Sequence, residues 1–194
     1  MAKRVMVVFA HPLEESFSAA LHTTVLQGLD EGGWEIDDCD LYAEGFEPVM
    51  SADERRNYHT LGSNIDPVST YVERLRAADA LVFVFPVWNF GYPAILKGFF
   101  DRVFLPGVSF KLVDGKVRPN LTHIKRAATV TTYGGTYMRA LLAGDPPRRQ
   151  LKRSVRYVLG GAPMEYLALY DMNRISHEKR ASFLHRVSLE MRGF

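Results

Sequence analysis

Three short stretches carry residue types that could do chemistry. Trp88 and Phe90 flank Asn89, and Gly91 follows. Two aromatics on one loop can form a flat platform for a planar ring. The same pair can equally fill a core or a subunit contact, and residue type alone leaves these readings open. Thr131, Thr132 and Tyr133 run into Gly134 and Gly135. Glycines allow a backbone to come close to a ligand, and they also make plain turns. Near the amino end, His11 precedes Ser16, Phe17 and Ser18 at the head of an apolar-periodic run. A hydroxyl and the free N–H groups of a helix start suit phosphate oxygens, and His11 adds a donor. Ser16 is also an ordinary helix N-cap, a role compatible with the first.

Each stretch lies where a strand passes into a helix. Residues 5–9 are apolar and partly β-branched, which predicts a short buried strand. Phe17, Leu21, Val25 and Leu29 then recur at four-residue steps, and Gly32-Gly33 ends that helix. Residues 80–85 form a nearly continuous apolar run between Asp79 and Pro86. Such a run reads as a strand buried on both faces, and Pro86 should end it for want of a donor. Pro93 suits a first helical turn. After it Ile95, Phe99 and Val103 share one helical spacing, and Leu96, Phe100 and Phe104 another. Residues 127–132 are a fourth strand, running into the glycine loop. Open α/β sheets bind ligands at the carboxyl ends of their strands, where all three stretches fall.

The rest of the chain fills in the pattern. Residues 34–41 are a poor second strand, broken by Asp37, Asp38 and Asp40, as suits a sheet edge. Residues 42–65 are long and polar, with short helical pieces. Asp66-Pro67 should cap and start a helix with Val68, Val72 and Leu75 on its apolar face. Asp114-Gly115 is a hairpin signal. Residues 148–159 read as a helix behind Pro146-Pro147, stopped by Gly160-Gly161, and residues 164–170 as a fifth strand. Ser176 can cap a last helix with Leu184, Val187 and Met191 inward. Strands and helices alternate with no repeat and no linker, so residues 1–194 are expected to form a single doubly wound α/β domain.

Composition narrows the function classes. A chain of 194 residues with 47% hydrophobic and 24% charged side chains is ordinary for a globular domain. A net charge of +2 and no long basic block argue against nucleic acid. Arg148, Arg149, Lys152, Arg153 and Arg156 form the densest basic cluster, either a solvated helix face or an attractor for a phosphorylated cosubstrate. The single cysteine, Cys39, excludes an intramolecular disulfide and a cysteine-rich zinc site. No apolar run has the length of a membrane span. The apolar run after the basic amino terminus is too short for a signal peptide, so the protein is expected in the cytoplasm. There is no Gly-x-Gly-x-x-Gly and no Walker A sequence.

The stretch FPVWNFGYPAILKGFFDRVF resembles the signature of the flavodoxin-like NAD(P)H:quinone oxidoreductase family. His11 with Ser16-Phe17-Ser18, Leu41-Tyr42-Ala43 with Phe46 and Pro48, and Thr131-Thr132 with Gly134-Gly135 extend the resemblance over most of the chain. Tyr133 between the threonines and glycines is a departure. The resemblance implies a flavodoxin-like three-layer sandwich whose five-stranded parallel sheet runs in the order 2-1-3-4-5. It implies that His11, Ser16, Phe17 and Ser18 hold a flavin phosphate, that Pro86, Val87, Trp88, Asn89 and Phe90 wall the flavin ring, and that Thr131, Thr132, Gly134 and Gly135 contact it. It further implies hydride transfer from NADPH or NADH, by a ping-pong mechanism, to a quinone or related acceptor in a homodimer. FMN is favoured over FAD because the carboxyl-terminal region of the longer FAD-binding members is absent. Tyr137 is the candidate donor to a quinone or flavin oxygen. No histidine follows the glycines until His177, so the family's proton-relay histidine has no counterpart. Two alternatives are a regulatory flavoprotein subunit of a potassium efflux system and a flavodoxin-type electron carrier.

Overall fold

The computed structural model describes residues 3–194; the reading of the amino terminus starts at Met1 and Ala2, outside the described residues. In chain order the elements are β1 (Arg4–Phe9), α1 (Phe17–Glu31), β2 (Glu35–Asp40), α2 (Ala52–Asn57), α3 (Ser69–Ala77), β3 (Ala80–Val87) and α4 (Ala94–Val103). There follow β4 (Phe110–Val113), β5 (Lys116–Pro119), β6 (Arg126–Tyr133), α5 (Tyr137–Leu142), α6 (Pro146–Gln150), α7 (Arg156–Val158), β7 (Leu167–Leu169) and α8 (His177–Arg192). The main sheet has five strands in the order β2-β1-β3-β6-β7, and its strand pairs are parallel. With the β4-β5 hairpin set aside, this is the expected 2-1-3-4-5 order. The hairpin turns at Asp114 and Gly115, both at positive φ.

The two-residue period of the strands divides the core between two faces. Val5, Val7 and Phe9 of β1, with Val82 and Val84 of β3, pack under α1 and α8 against Leu21, Val25, Val187 and Met191. Met6 and Val8, with Leu81, Phe83 and Phe85, face α3 and α4 and meet Val72, Leu75, Leu96 and Phe99. A parallel sheet covered on both faces needs such continuous apolar strands.

At the edge strand β2, Asp37 is buried yet paired. Arg74 reaches one of its oxygens at 2.7 Å and Arg4 the other at 3.1 Å. A buried carboxylate needs partners of this kind, which explains how an acidic strand sits in this sheet.

Several boundaries differ from expectation. β3 continues through Pro86 to Val87. β1 pairs with β3 only as far as Val84, so beyond that point β6 is the neighbour and a proline is tolerated. Asp66-Pro67 does not open an α-helix. It lies in a 3₁₀ segment, Ser63–Val68, that leads into α3. The helix expected over 148–159 begins at Pro146 and widens into a π turn at Leu151–Val155. β7 is only Leu167–Leu169, with one isolated bridge from Met164 to Ala127.

The loop between β2 and α2 clamps α4. Arg102 on α4 donates to Glu54 through Nε at 2.8 Å and also to the Glu47 carbonyl. Gly98 sits where a side chain would meet the backbone of Pro48.

Candidate active site

Three loops leave the carboxyl edge of the sheet side by side. Residues 10–16 follow β1, residues 88–93 follow β3, and residues 134–136 follow β6. Parallel pairing places Val87 opposite Tyr133, so the aromatic and glycine loops are neighbours. The His11 ring lies 5.7 Å from the Trp88 ring in an edge arrangement, which joins the first loop to the second.

The first loop opens α1. Ser16 is the N-cap, and its hydroxyl accepts from the Ala19 N–H at 3.1 Å. The N–H groups of Phe17 and Ser18 lie in the first turn, where no intrahelical acceptor exists. His11 Nδ1 accepts from the Leu13 N–H at 3.1 Å, which fixes its ring on the loop. Ser18 is buried, and Phe17 and His11 are half-buried.

The second loop is a tight two-residue turn. Trp88 and Gly91 exchange backbone hydrogen bonds of 3.1 and 2.8 Å. The central residues Asn89 and Phe90 both have positive φ, 49° and 56°. Asparagine accepts that region readily, whereas a bulky phenylalanine does so at a cost and marks a constrained turn. The turn holds Trp88 and Phe90 out from the sheet, each 41% exposed. Pro86 and Val87 are buried and contribute backbone to this edge.

The third loop splits the expected residues. Thr131 is fully buried, and its hydroxyl donates to the Phe85 carbonyl at 2.6 Å, so it ties β6 to β3. Thr132 is buried as well. Gly134 is exposed and Gly135 half-buried, beside Asn173 and Arg139 respectively. Tyr137 opens α5 and is exposed, its ring centre 5.3 Å from that of Tyr170 in an edge-to-face arrangement. Sequence reasoning did not single out Asn173, Arg139 or Tyr170.

A cleft of about 500 Å³ opens beside the first loop, between α1 and the turn after β2, lined by His11, Glu14, His22, Asp40 and Tyr42. It shares His11 with the site but not the aromatic or glycine loops. On that second side Trp88, Phe90 and Tyr137 stand open to solvent. The donor types suit a flavin: helix-start N–H groups and a serine for a phosphate, exposed aromatic faces and a partly exposed glycine backbone for a flat ring.

Sheet order and site together define a flavodoxin-type α/β protein with its binding edge at the switch between β1 and β3. A family model described as "Flavodoxin-like fold" matches residues 3–189, and the chain belongs to that family. It is 30% identical over 155 residues to "NAD(P)H dehydrogenase [quinone] 1" of Rattus norvegicus, covering 72% of this chain. It spans 57% of the length of that relative. It is 31% identical to "FMN-dependent NADH:quinone oxidoreductase 3" of Bacillus cereus, covering 84% of this chain and 73% of the relative. Among solved structures, the "NAD(P)H:quinone oxidoreductase from Methanothermobacter marburgensis" superposes with a TM-score of 0.85 at 26% identity, covering 99% of this chain and 98% of that one. The resemblance read from the aromatic stretch therefore holds.

Proposed function

We propose that this protein is a flavin-dependent NAD(P)H oxidoreductase that passes two electrons, as hydride, to quinones or related acceptors. The observation that carries the reading is the meeting of a helix-start loop, an exposed aromatic turn and a glycine loop at one sheet edge, joined through His11 and Trp88. FMN is the proposed cofactor, in keeping with the name of the Bacillus relative. When bound, it supplies a site that accepts hydride from NADH or NADPH and returns it to the acceptor.

The chain's own residues do the holding. Ser16, Ser18, His11 and the N–H groups of the first turn of α1 take the phosphate. Trp88 and Phe90 wall the ring, on the backbone laid down by Pro86, Val87 and Asn89. Gly134 and Gly135 would offer backbone N–H groups to the ring, and preorganised donors there would favour added negative charge. Thr131 contributes through the backbone it ties rather than as a free hydroxyl, and Thr132 beside it completes the strand end. Tyr137, exposed at the rim, would hydrogen-bond an entering acceptor. Donor and acceptor share one space, which gives a ping-pong pattern of parallel double-reciprocal lines; intersecting lines would contradict it.

A homodimer in the cytoplasm is part of the proposal. Among the described residues no helix is long and apolar enough to cross a membrane. Tyr137, Met138, Leu141 and Leu142 on α5 are exposed beside the open side of the site, as a subunit contact requires. Sedimentation at micromolar concentration should give twice the chain mass.

Trp88→Ala tests the platform. Stacking of aromatic rings contributes roughly 1 kcal/mol beyond area burial, so FMN affinity should fall at least about fivefold. Trp88 is exposed, so the melting temperature of the apoprotein should stay put. Unchanged flavin affinity would remove Trp88 from the site.

A further inference from the structure

The residue that interrupts the glycine loop is turned into the protein. Tyr133 is 2% exposed, and its hydroxyl lies 2.6 Å from Asp145 Oδ1 and 2.6 Å from the Tyr166 hydroxyl. Asp145 is itself only 7% exposed. Burial first, then Tyr166 and Asp145, push the Tyr133 phenol well above its ordinary range, so it keeps its proton. A phenol has one proton to give, and a carboxylate only accepts. Tyr133 therefore donates to Asp145, and Tyr166 donates to the Tyr133 oxygen. The donors run in one direction, Tyr166 to Tyr133 to Asp145, an order in which each bond strengthens the next.

Asp145 reaches this position at a backbone cost. Its φ and ψ of 43° and 59° are left-handed, a region that aspartate visits only singly. The same loop is tied from its other side. The Tyr133 carbonyl accepts from the Met172 N–H at 3.0 Å, and the Gly135 carbonyl from the Asp171 N–H at 2.8 Å. The Tyr133 ring also stacks on Tyr170 at 4.5 Å. One added residue ahead of two glycines would ordinarily leave a loose loop, but here it is the loop's anchor.

We propose that Tyr133, Asp145 and Tyr166 are positioning residues that set the place of the Gly134 and Gly135 backbone against the ring of the bound flavin. The inference rests on the flavin reading above. None of the three needs to touch the ring. They act through the N–H groups of the two glycines, whose value is greatest when the ring carries negative charge. Loosening the anchor should therefore weaken the reduced form more than the oxidised form.

The test is the reduction potential of the FMN-loaded protein, with FMN affinity measured alongside. Tyr133→Phe keeps the ring and its stacking but removes the hydroxyl. A tenfold loss of preference for the reduced form is expected, which lowers the potential by about 30 mV for a two-electron couple. Asp145→Asn retains a carbonyl oxygen that can accept from Tyr133, and it should return most of the wild-type potential. A purely structural role would lower the melting temperature of Tyr133→Phe and leave the potential of its folded, loaded form unchanged; that result overturns the proposal. Should Tyr133→Phe fail to fold, Tyr166→Phe leaves the bond from Tyr133 to Asp145 in place. It should lower the potential in the same direction by less, and an unaltered potential there also overturns the anchor. A wild-type protein that takes up no flavin overturns the flavin reading itself, and the anchor with it.

Discussion

Arg102→Ala is expected to destabilise the protein by about 3 kcal/mol, the low end for removing one partner of a buried ion pair. Arg102 is 8% exposed and its partner Glu54 only 15%. The guanidinium makes three separate uses of that position. It bonds the Glu54 carboxylate through Nε at 2.8 Å and through Nη2 at 2.6 Å, and it donates to the Glu47 carbonyl. It also lies over the Phe46 ring at 5.5 Å. Truncation leaves Glu54 Oε1 and the Glu47 carbonyl without their Arg102 donors, while Glu54 Oε2 keeps the Ser51 N–H, and it uncovers an aromatic face.

The same pair gives a pH dependence. Burial raises the Glu54 carboxyl, but the Ser51 N–H, Arg102 and the Ser51 side chain outweigh it and hold it below the usual carboxylate range. A depressed folded-state pKa means stability that is present above the unfolded pKa and lost as pH falls through the folded one. Arg102→Ala should therefore melt lower at neutral pH and show a shallower further loss below pH ~4, in the carboxylate range, than wild type. Equal melting temperatures at neutral pH would show that the pair holds nothing together.

Gly98→Ala is expected to cost about 2 kcal/mol net, although alanine is the better helix former by about 1 kcal/mol. An added Cβ would stand 2.3 Å from the Pro48 carbonyl oxygen and 2.5 Å from its Cα. Backbone atoms cannot rotate away, so α4 or the Pro48 loop must shift. Overpacking of that kind costs about 3 kcal/mol at the upper end of its usual range. Ile95, Phe99 and Phe100 on α4 are core residues, so the shift spreads into packing beneath the aromatic turn. Gly91→Ala is the matched control, since its added Cβ meets nothing nearer than the Trp88 oxygen at 3.6 Å. Denaturant melts should separate the two variants clearly. A Gly98→Ala protein as stable as wild type would mean that the loop packs more loosely on α4 than its contacts indicate.

The two variants act on one joint, the clamp of residues 46–54 on α4, and that joint was not legible in the sequence. What could be read there was local. The apolar runs at β1 and β3 announced buried strands, and the twin helical spacings after Pro93 announced a helix. The acid-broken run at β2 announced an edge. The sheet order came from the family resemblance, with which the acidic edge strand agrees, and the carboxyl-edge position of His11, Trp88 and the glycines followed from the strand-to-loop steps. Long-range partners leave no such trace. Nothing in the spacing of Tyr133, Asp145 and Tyr166 says that their side chains meet, because Tyr133 and Tyr166 lie 33 residues apart. Thr131 shows the same limit: sequence cannot tell a hydroxyl facing a ligand from one tied to the Phe85 carbonyl. The short β7 escaped for a physical reason as well. Glu165 still exchanges backbone hydrogen bonds with β6, but only three residues keep the regular ladder.

The most direct test of the central claim is the visible absorption spectrum of the purified protein loaded with FMN, recorded before and after anaerobic NADPH and again after a benzoquinone. The account predicts flavin bands that bleach straight to the two-electron reduced form without a long-wavelength semiquinone band, and that return on addition of the quinone. A protein that takes up neither FMN nor FAD, or one whose bound flavin stays oxidised under NADPH and NADH alike, would contradict it.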